Sequence, residues 1–508
     1  MASAALLSTL EEFLAVSRDA VVVEDGAVVF DLSEAKYSIS DSMQKCVLHL
    51  WSAERNVVRR VIDAEVRSDV LCLEVQKLGQ SKSTKLEICR ERDRRTPSAK
   101  KATRAAYKRC LQRTLERRFD GWKLTRFSTA IDLERSFGPI YARGLLRQGQ
   151  TSFAILGVNC QEVQPAIDAA LTFGILWLDT CREAEAARSV VSGLKLFAPA
   201  GSSRVLRERM AHLHPTAAQW QLYEFDERQD ALREIDILDR GNLATRMVHC
   251  TDESAARERM ANVIAYVSAL MPEVEVAVLS PSEIAFRAHG LEFARGRITH
   301  QPGSVRGVPE LVFGLGAEER VLCDENAESF SRLVSNIGEV RHAEGPRDNT
   351  LWRLHPERWL ESLVIKDVRT VDDRLDSSRF YSQVPAFSAS DRAMIDVLTT
   401  TREGRVVVVE LKADEDIHLP LQGLDYWARV KWHHDRGEFQ RFGYFPAKQL
   451  SSESPLLILV APALRIHPAT DTILRYFLPA IEWILVGIDE RWRDGIRVVF
   501  RKRPRRSE

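Results

Sequence analysis

No run in this chain approaches the ~20 consecutive apolar residues that a membrane-crossing helix requires, so a helical span is not expected. Cysteine is sparse. The eight cysteines, at 46, 72, 89, 110, 160, 181, 250 and 323, include no C-x-x-C pair, which argues against a zinc ribbon and a disulfide framework and for reduced thiols in a cytoplasmic protein. Net charge is missing too: 72 Lys and Arg balance 72 Asp and Glu, so affinity for a polyanion must come from local clustering and not from an overall field. No internal repeat or low-complexity tract is visible. The N-terminal MASAALLSTLEEFLAV carries no basic residue ahead of its apolar stretch and is interrupted by Glu11 and Glu12, which predicts a short helix and not a signal peptide.

What is present is ordinary globular composition, 45% hydrophobic and 28% charged over 508 residues, enough for several cores and an α/β multidomain chain. Residues 1–90 are β-rich, with strand patterns at 21–23, 27–31, 46–51, 57–62, 70–75 and 85–89. Residues 91–127 form a basic helical segment. A mixed α/β domain is expected at 128–245, with 152–158 and 175–178 as buried strands around a helical 163–171. An α+β region follows at 246–344, with a helix over 253–270, strands at 274–279, 284–288 and 310–313, and a helix over 327–337. The Gly-Pro-Arg-Asp-Asn stretch at 345–349 reads as a linker into a last domain, 345–508, that ends in the basic tail RKRPRRSE.

The basic segment has fourteen Lys and Arg against four Asp and Glu between 90 and 126. At helical spacing it puts Tyr107, Leu111 and Leu115 on one face and Arg109, Arg113 and Arg117 in a row on another. Such a row is either a solvated face or a surface for nucleic-acid phosphates, whose recognition is electrostatic and blind to sequence.

The chemistry concentrates between 394 and 426. Asp396 follows a short apolar run, 400–404 reads as a hairpin turn, and Arg405–Leu411 is the strongest strand pattern in the chain. Four consecutive valines predict a strand buried on both faces, yet Glu410 and Lys412 sit at its end, pointing to one side. A hairpin centred on Glu403 and Gly404 would bring Asp396 to Glu410. Two converging carboxylates repel unless a divalent cation lies between them, and Mg²⁺ is held by one or two carboxylates with waters and phosphate oxygens completing its shell. Lys412 beside such an ion could orient an attacking water or offset charge on a phosphoryl oxygen.

The pattern Asp396, thirteen residues, Glu410-Leu411-Lys412 resembles the PD-(D/E)XK nuclease superfamily, although Ile395 stands where that family has its proline. Gln422-Gly423-Leu424-Asp425-Tyr426 is similar to the Q-x3-Y helix motif of the RecB-like branch. The resemblance covers only the last third of the chain. It implies a core of helix, three strands, helix and strand, Asp396 and Glu410 as ligands of Mg²⁺ or Mn²⁺, Lys412 as the catalytic amine, and Gln422 and Tyr426 leaning toward the site from one helical face. It also implies a further carboxylate from the first helix, for which Glu361 is the choice and Glu357, one turn earlier, the alternative. The expected function is therefore metal-dependent hydrolysis of phosphodiester bonds in nucleic acid, DNA ahead of RNA. The competing reading is a non-catalytic nucleic-acid-binding or scaffold protein that keeps a nuclease fold.

Overall fold

The computed structural model describes residues 3–504 except 16, 18–19, 25–26, 33–34, 43–44, 52–55, 68–69, 78–82, 90–96, 133–134, 187–188, 240–244, 301–306, 316–318 and 386–393. Within these the chain is a multidomain α/β protein with four β-sheets. No described helix is long and apolar enough to cross a membrane. Contacts divide it into two compact units. One comprises Met1–Gly144, Gly157–Gln161 and Asp226–Ala231, and the other the remaining residues.

In the first unit, seven antiparallel strands run in the order Ala27–Asp31, Val21–Glu24, Ser83–Cys89, Val70–Lys77, Asn56–Arg67, Lys45–Trp51 and Lys36–Ser42. The expected N-terminal helix spans Ser3–Ala15 and sets Leu6, Leu10, Phe13 and Leu14 into the same core as Leu48, Leu50, Leu71 and Leu86. The basic segment contains a helix, Pro97–Arg118, that buries Tyr107, Leu111 and Leu115 as its spacing predicts.

The second unit begins with a sheet built on the parallel pair Val190–Pro199 and Gln219–Asp226, in which Leu194 lies opposite Trp220. Thr151–Val158 flanks the first of these strands and Ala231–Ile235 the second. Residues 175–178, expected as a strand, are instead part of the helix Ala170–Glu185. Leu171, Ile175, Leu178 and Cys181 are its buried stripe at helical spacing, which a short apolar run read alone does not reveal. Next comes an antiparallel sheet of Glu275–Ser280, Glu283–Ala288, Leu291–His300, Gly307–Phe313 and Arg320–Val321. Helices Glu253–Arg259, Ala261–Leu270 and Ala327–Val340 accompany it, with Met260, Val267, Phe330, Val334 and Ile337 in one core with Ile284, Phe286 and Phe293. The helix expected over 253–270 breaks at Met260, whose backbone leaves the helical region.

The last third forms α1 (Pro356–Lys366), β1 (Leu375–Pro385), β2 (Met394–Thr401), β3 (Val406–Leu411), α2 (Leu419–Asp435), β4 (Leu456–Pro462), α3 (Thr470–Arg475), β5 (Trp483–Ile488) and β6 (Val498–Lys502). The strands lie in chain order. β2 is antiparallel to both β1 and β3; β3, β4 and β5 are parallel, and β6 returns antiparallel. The turn between β2 and β3 needs Gly404: its φ is +88°, and an added Cβ would lie 2.2 Å from Gln449 O. Every residue of β3 is buried, with Val407, Val409 and Leu411 packed in the core that α1 supplies through Trp359, Leu360 and Val364. On α2, Gly423 lets the helix approach β4, since a Cβ there would lie 2.5 Å from Leu459 Cδ2.

Candidate active site

The hairpin register decides where the charged side chains meet. Val397 pairs with Val409 and Leu398 with Val408, which sets Asp396 level with Glu410 at the open end of β2 and β3. On the other edge of β2, Val384 pairs with Ile395 and Ser382 with Val397, which sets Gln383 of β1 level with Asp396. Asp396 Oδ2 accepts the Leu411 N–H at 2.9 Å, and Oδ1 lies 3.4 Å from Gln383 Nε2. Glu410 is 1% exposed, and neither of its carboxylate oxygens accepts a hydrogen bond. Its nearest cation is Lys412, whose Nζ lies 3.4 Å from Glu410 Oε1, 3.6 Å from Glu357 Oε1 and 4.0 Å from Asp416 Oδ2.

Burial and mutual repulsion push the acids toward their neutral forms. Glu410 lies well above the usual carboxyl range because it is buried, with Asp396 adding to the effect. Asp396 is pushed up to about 6, chiefly by burial and against the Leu411 N–H, which favours its charged form. Burial also raises Glu361 to about 8, with the field of Asp396 second. Lys412 responds in the opposite sense: burial would lower it, but Glu410, Glu357 and Asp396 outweigh that and hold it charged. The site is thus one ammonium among carboxylates that have too few positive partners.

Glu361, on α1, is brought to this cluster through Gln383. Its Oε2 accepts from Gln383 Nε2 at 2.5 Å and from Arg358 Nη1 at 3.1 Å. Among the described residues, no three His, Cys, Asp or Glu side chains converge closely enough to cage an ion by themselves. A hard cation such as Mg²⁺ takes one or two carboxylates and keeps several waters, so Asp396 and Glu410 are the residues that would hold one here. The donor set passes one test. Glu410 has two buried oxygens that accept no hydrogen bond and a single cation, Lys412, that it shares with Glu357 and Asp416, and such atoms cost free energy unless a further cation or a proton compensates them.

From α2, Gln422 Nε2 donates to Tyr426 Oη at 3.2 Å, as residues four apart on a helix should. Tyr426 is buried, and burial, with the fields of Glu410 and Asp396 adding to it, raises its phenol. A groove is lined by Glu361 and Gln383, with Arg287, Arg358 and Lys366 as cations and Tyr381 as an aromatic wall; Asp396, Glu410 and Lys412 lie behind its lining. Arg109, Arg113 and Arg117 are exposed on their helix in the other unit, and Arg117 is already matched by Asp230 at 2.8 Å. Residues 505–508 of the basic tail lie outside the described residues.

Gln383 is the participant that sequence reading missed. A glutamine two residues before a proline carries no pattern, and only the β1–β2 register reveals that it joins Glu361 to Asp396. Its φ of +51° is a left-handed conformation that costs a non-glycine residue free energy, of order 1–3 kcal/mol where such strain is held at a site. Comparison of the chain with protein-family models, with curated proteins and with solved structures gives no match in any of the three.

Proposed function

We propose that the last third of the chain is a PD-(D/E)XK-type nuclease core of the RecB-like kind, hydrolysing phosphodiester bonds in nucleic acid, DNA ahead of RNA, with Mg²⁺ or Mn²⁺. The observation that carries this reading is Glu410: a buried carboxylate with no hydrogen bond at either oxygen, level with Asp396 and 3.4 Å from a Lys412 that it shares with Glu357 and Asp416. The element order α1, β1, β2, β3, α2, β4 and the position of Gln422 and Tyr426 support it.

Asp396 and Glu410 would hold the cation, and when bound it supplies Lewis acidity toward a phosphoryl oxygen and lowers the pKa of a coordinated water. The chain's own residues do the rest. Asp396 is fixed by the Leu411 N–H and Gln383, level with Glu410 on the neighbouring strand. Lys412, kept charged by its acidic neighbours, is placed to donate to the scissile phosphate or to an attacking water. Arg287, Arg358 and Lys366 line the groove where a sugar–phosphate backbone would approach, and Tyr381 offers a face for a base.

A scaffold protein would gain nothing from two buried carboxylates side by side, one of them without a hydrogen bond, which is why the catalytic reading is preferred. The test is metal-dependent cleavage of a mixed panel of DNA and RNA by the full chain. Asp396→Ala and Glu410→Ala should each abolish cleavage with circular dichroism unchanged. Activity retained in both variants would end the assignment.

A further inference from the structure

The sheet containing Val190–Pro199 and Gln219–Asp226 repeats the architecture of the C-terminal core. In both, a strand hairpin is followed by a long helix, a strand, a short helix, a strand parallel to it and a final strand, and the neighbours in the sheet follow that same order. The registers coincide. Leu194 lies opposite Trp220 in one sheet and Leu457 opposite Trp483 in the other, and the two pairs are separated by the same length of chain. Around them the sequence repeats L-x-L-x-A-P, as Leu194–Pro199 and Leu457–Pro462, and W-x-L-x3-D-E, from Trp220 and from Trp483. A glycine on each long helix meets a leucine of the following strand: a Cβ at Gly174 would lie 2.7 Å from Leu194 Cδ2, and one at Gly423 would lie 2.5 Å from Leu459 Cδ2.

The two copies also bind each other reciprocally. Arg209, on the short helix of the first copy, pairs with Asp425 on the long helix of the second at 2.8 Å. Arg475, on the short helix of the second copy, pairs with Asp179 on the long helix of the first at 3.2 Å. Leu213 and Phe477 pair antiparallel, flanked by His214 N–H to Tyr476 O at 2.8 Å and Leu478 N–H to His212 O at 2.9 Å, two bonds that interchange when the two segments are exchanged. The Leu213–Phe477 contact has the isologous form of a two-fold dimer, made within one chain, and the two salt bridges join the same pair of elements at different positions along them.

The copies differ in chemistry. The strands of the first copy that correspond to β2 and β3 read YARGLLRQ and TSFAILGV, without a single Asp or Glu. Resting on the nuclease reading of Asp396 and Glu410, we propose that each chain is a built-in dimer of nuclease cores with one live site and one blank, and that it therefore nicks one strand of a duplex in each encounter. The two strands of a duplex are themselves related by two-fold axes, so a symmetric dimer offers a site to each strand, whereas this chain offers one.

The full chain is tested on supercoiled circular DNA with Mn²⁺, alongside its mass in solution by light scattering and its Mn²⁺ binding by electron paramagnetic resonance. The expected result is a particle of one chain, conversion of supercoiled DNA to nicked circles before linear DNA accumulates, and loss of all specific Mn²⁺ binding in Asp396→Ala. Linear DNA formed from the start at the same rate as nicked circles, a two-chain particle, or Mn²⁺ still bound by Asp396→Ala would each overturn the one-site assignment. Cleavage of single strands with the supercoiled duplex left intact would overturn nicking but leave the nuclease reading standing. No Mn²⁺-dependent cleavage of any substrate would overturn both.

Discussion

A glutamate whose two oxygens are sealed from water and accept no hydrogen bond is tolerated only if something compensates its charge; the Lys412 ammonium, 3.4 Å from Glu410 Oε1, is shared with Glu357 and Asp416, which leaves a proton or a further cation to complete the compensation. The raised acids make the choice measurable. Asp396 at about 6 and Glu361 at about 8 lie above the ordinary carboxyl value near 4, so over that interval the folded protein holds protons that the unfolded chain releases. Stability without metal should accordingly be greatest below about pH 4 as far as these groups contribute, and should fall as pH rises through about 6 and then about 8. Thermal melts in EDTA at pH 5.5 and pH 8 measure this, and Mn²⁺ should raise the midpoint more at the higher pH, where the carboxylates are free to bind it. Glu410→Gln should make the metal-free protein less sensitive to pH and remove the Mn²⁺ effect. A metal-free protein that gained stability steadily over the same pH range would contradict the assignment. Lys412 is separable from the ion. On the proposed nuclease reading its amine acts in the transition state, so Lys412→Ala should slow turnover by on the order of 10²-fold or more while Mn²⁺ affinity holds, a comparison that titration calorimetry and initial rates make together.

At the level of elements, α2 sits where it does because Gly423 has no side chain. An alanine there would meet Leu459, and overpacking of that kind typically costs about 1–3 kcal/mol. Since Gln422 and Tyr426 flank the glycine, Gly423→Ala should lower both the melting temperature and kcat, whereas Gly338→Ala, with open space at its Cβ, should leave kcat alone. The same elements show how far sequence reading extends. The β2–β3 hairpin was legible because four valines and a glycine turn fix both a strand and its register, and the level placement of Asp396 and Glu410 follows from that register alone. Gln383 was not legible, because its role arises from pairing between strands joined by residues 386–393 and from no local pattern. The strand expected at 175–178 failed because a buried helix and a buried strand share the same short apolar signature. The repeat stayed hidden for a related reason. The copies share two short motifs, L-x-L-x-A-P and W-x-L-x3-D-E, and differ at the positions of Asp396 and Glu410, so the motifs stand out only once the matching sheet registers align them.

For the molecule as a whole, Arg341 binds the antiparallel sheet to the C-terminal core. Its guanidinium is 2% exposed and donates to four carbonyls: Ala288 O at 2.9 Å, His289 O at 2.9 Å, Leu351 O at 2.6 Å and Leu354 O at 2.9 Å. It also lies over the ring of Trp359, 4.8 Å from its centroid. Residues 345–349, read from sequence as a linker, therefore run between segments that one buried side chain clasps. Removing the guanidinium leaves those carbonyls without donors, and each buried unsatisfied group costs about 1–3 kcal/mol, so Arg341→Ala should destabilise the protein by several kcal/mol. Arg341→Lys should recover little, because a single ammonium cannot reproduce a planar fork aimed at acceptors on two segments. Trp359 belongs to the same core as Val407, Val409 and Leu411, so the damage should travel into β3, and cleavage should fall together with thermal stability although Arg341 has no contact with Asp396 or Glu410. A protein starting at residue 345 lacks Arg341 and every residue of the first copy, including Asp179 and Arg209. It should populate an expanded state that binds hydrophobic dye, and a sharp, cooperative melt from that fragment would show that the C-terminal core needs neither clasp nor partner.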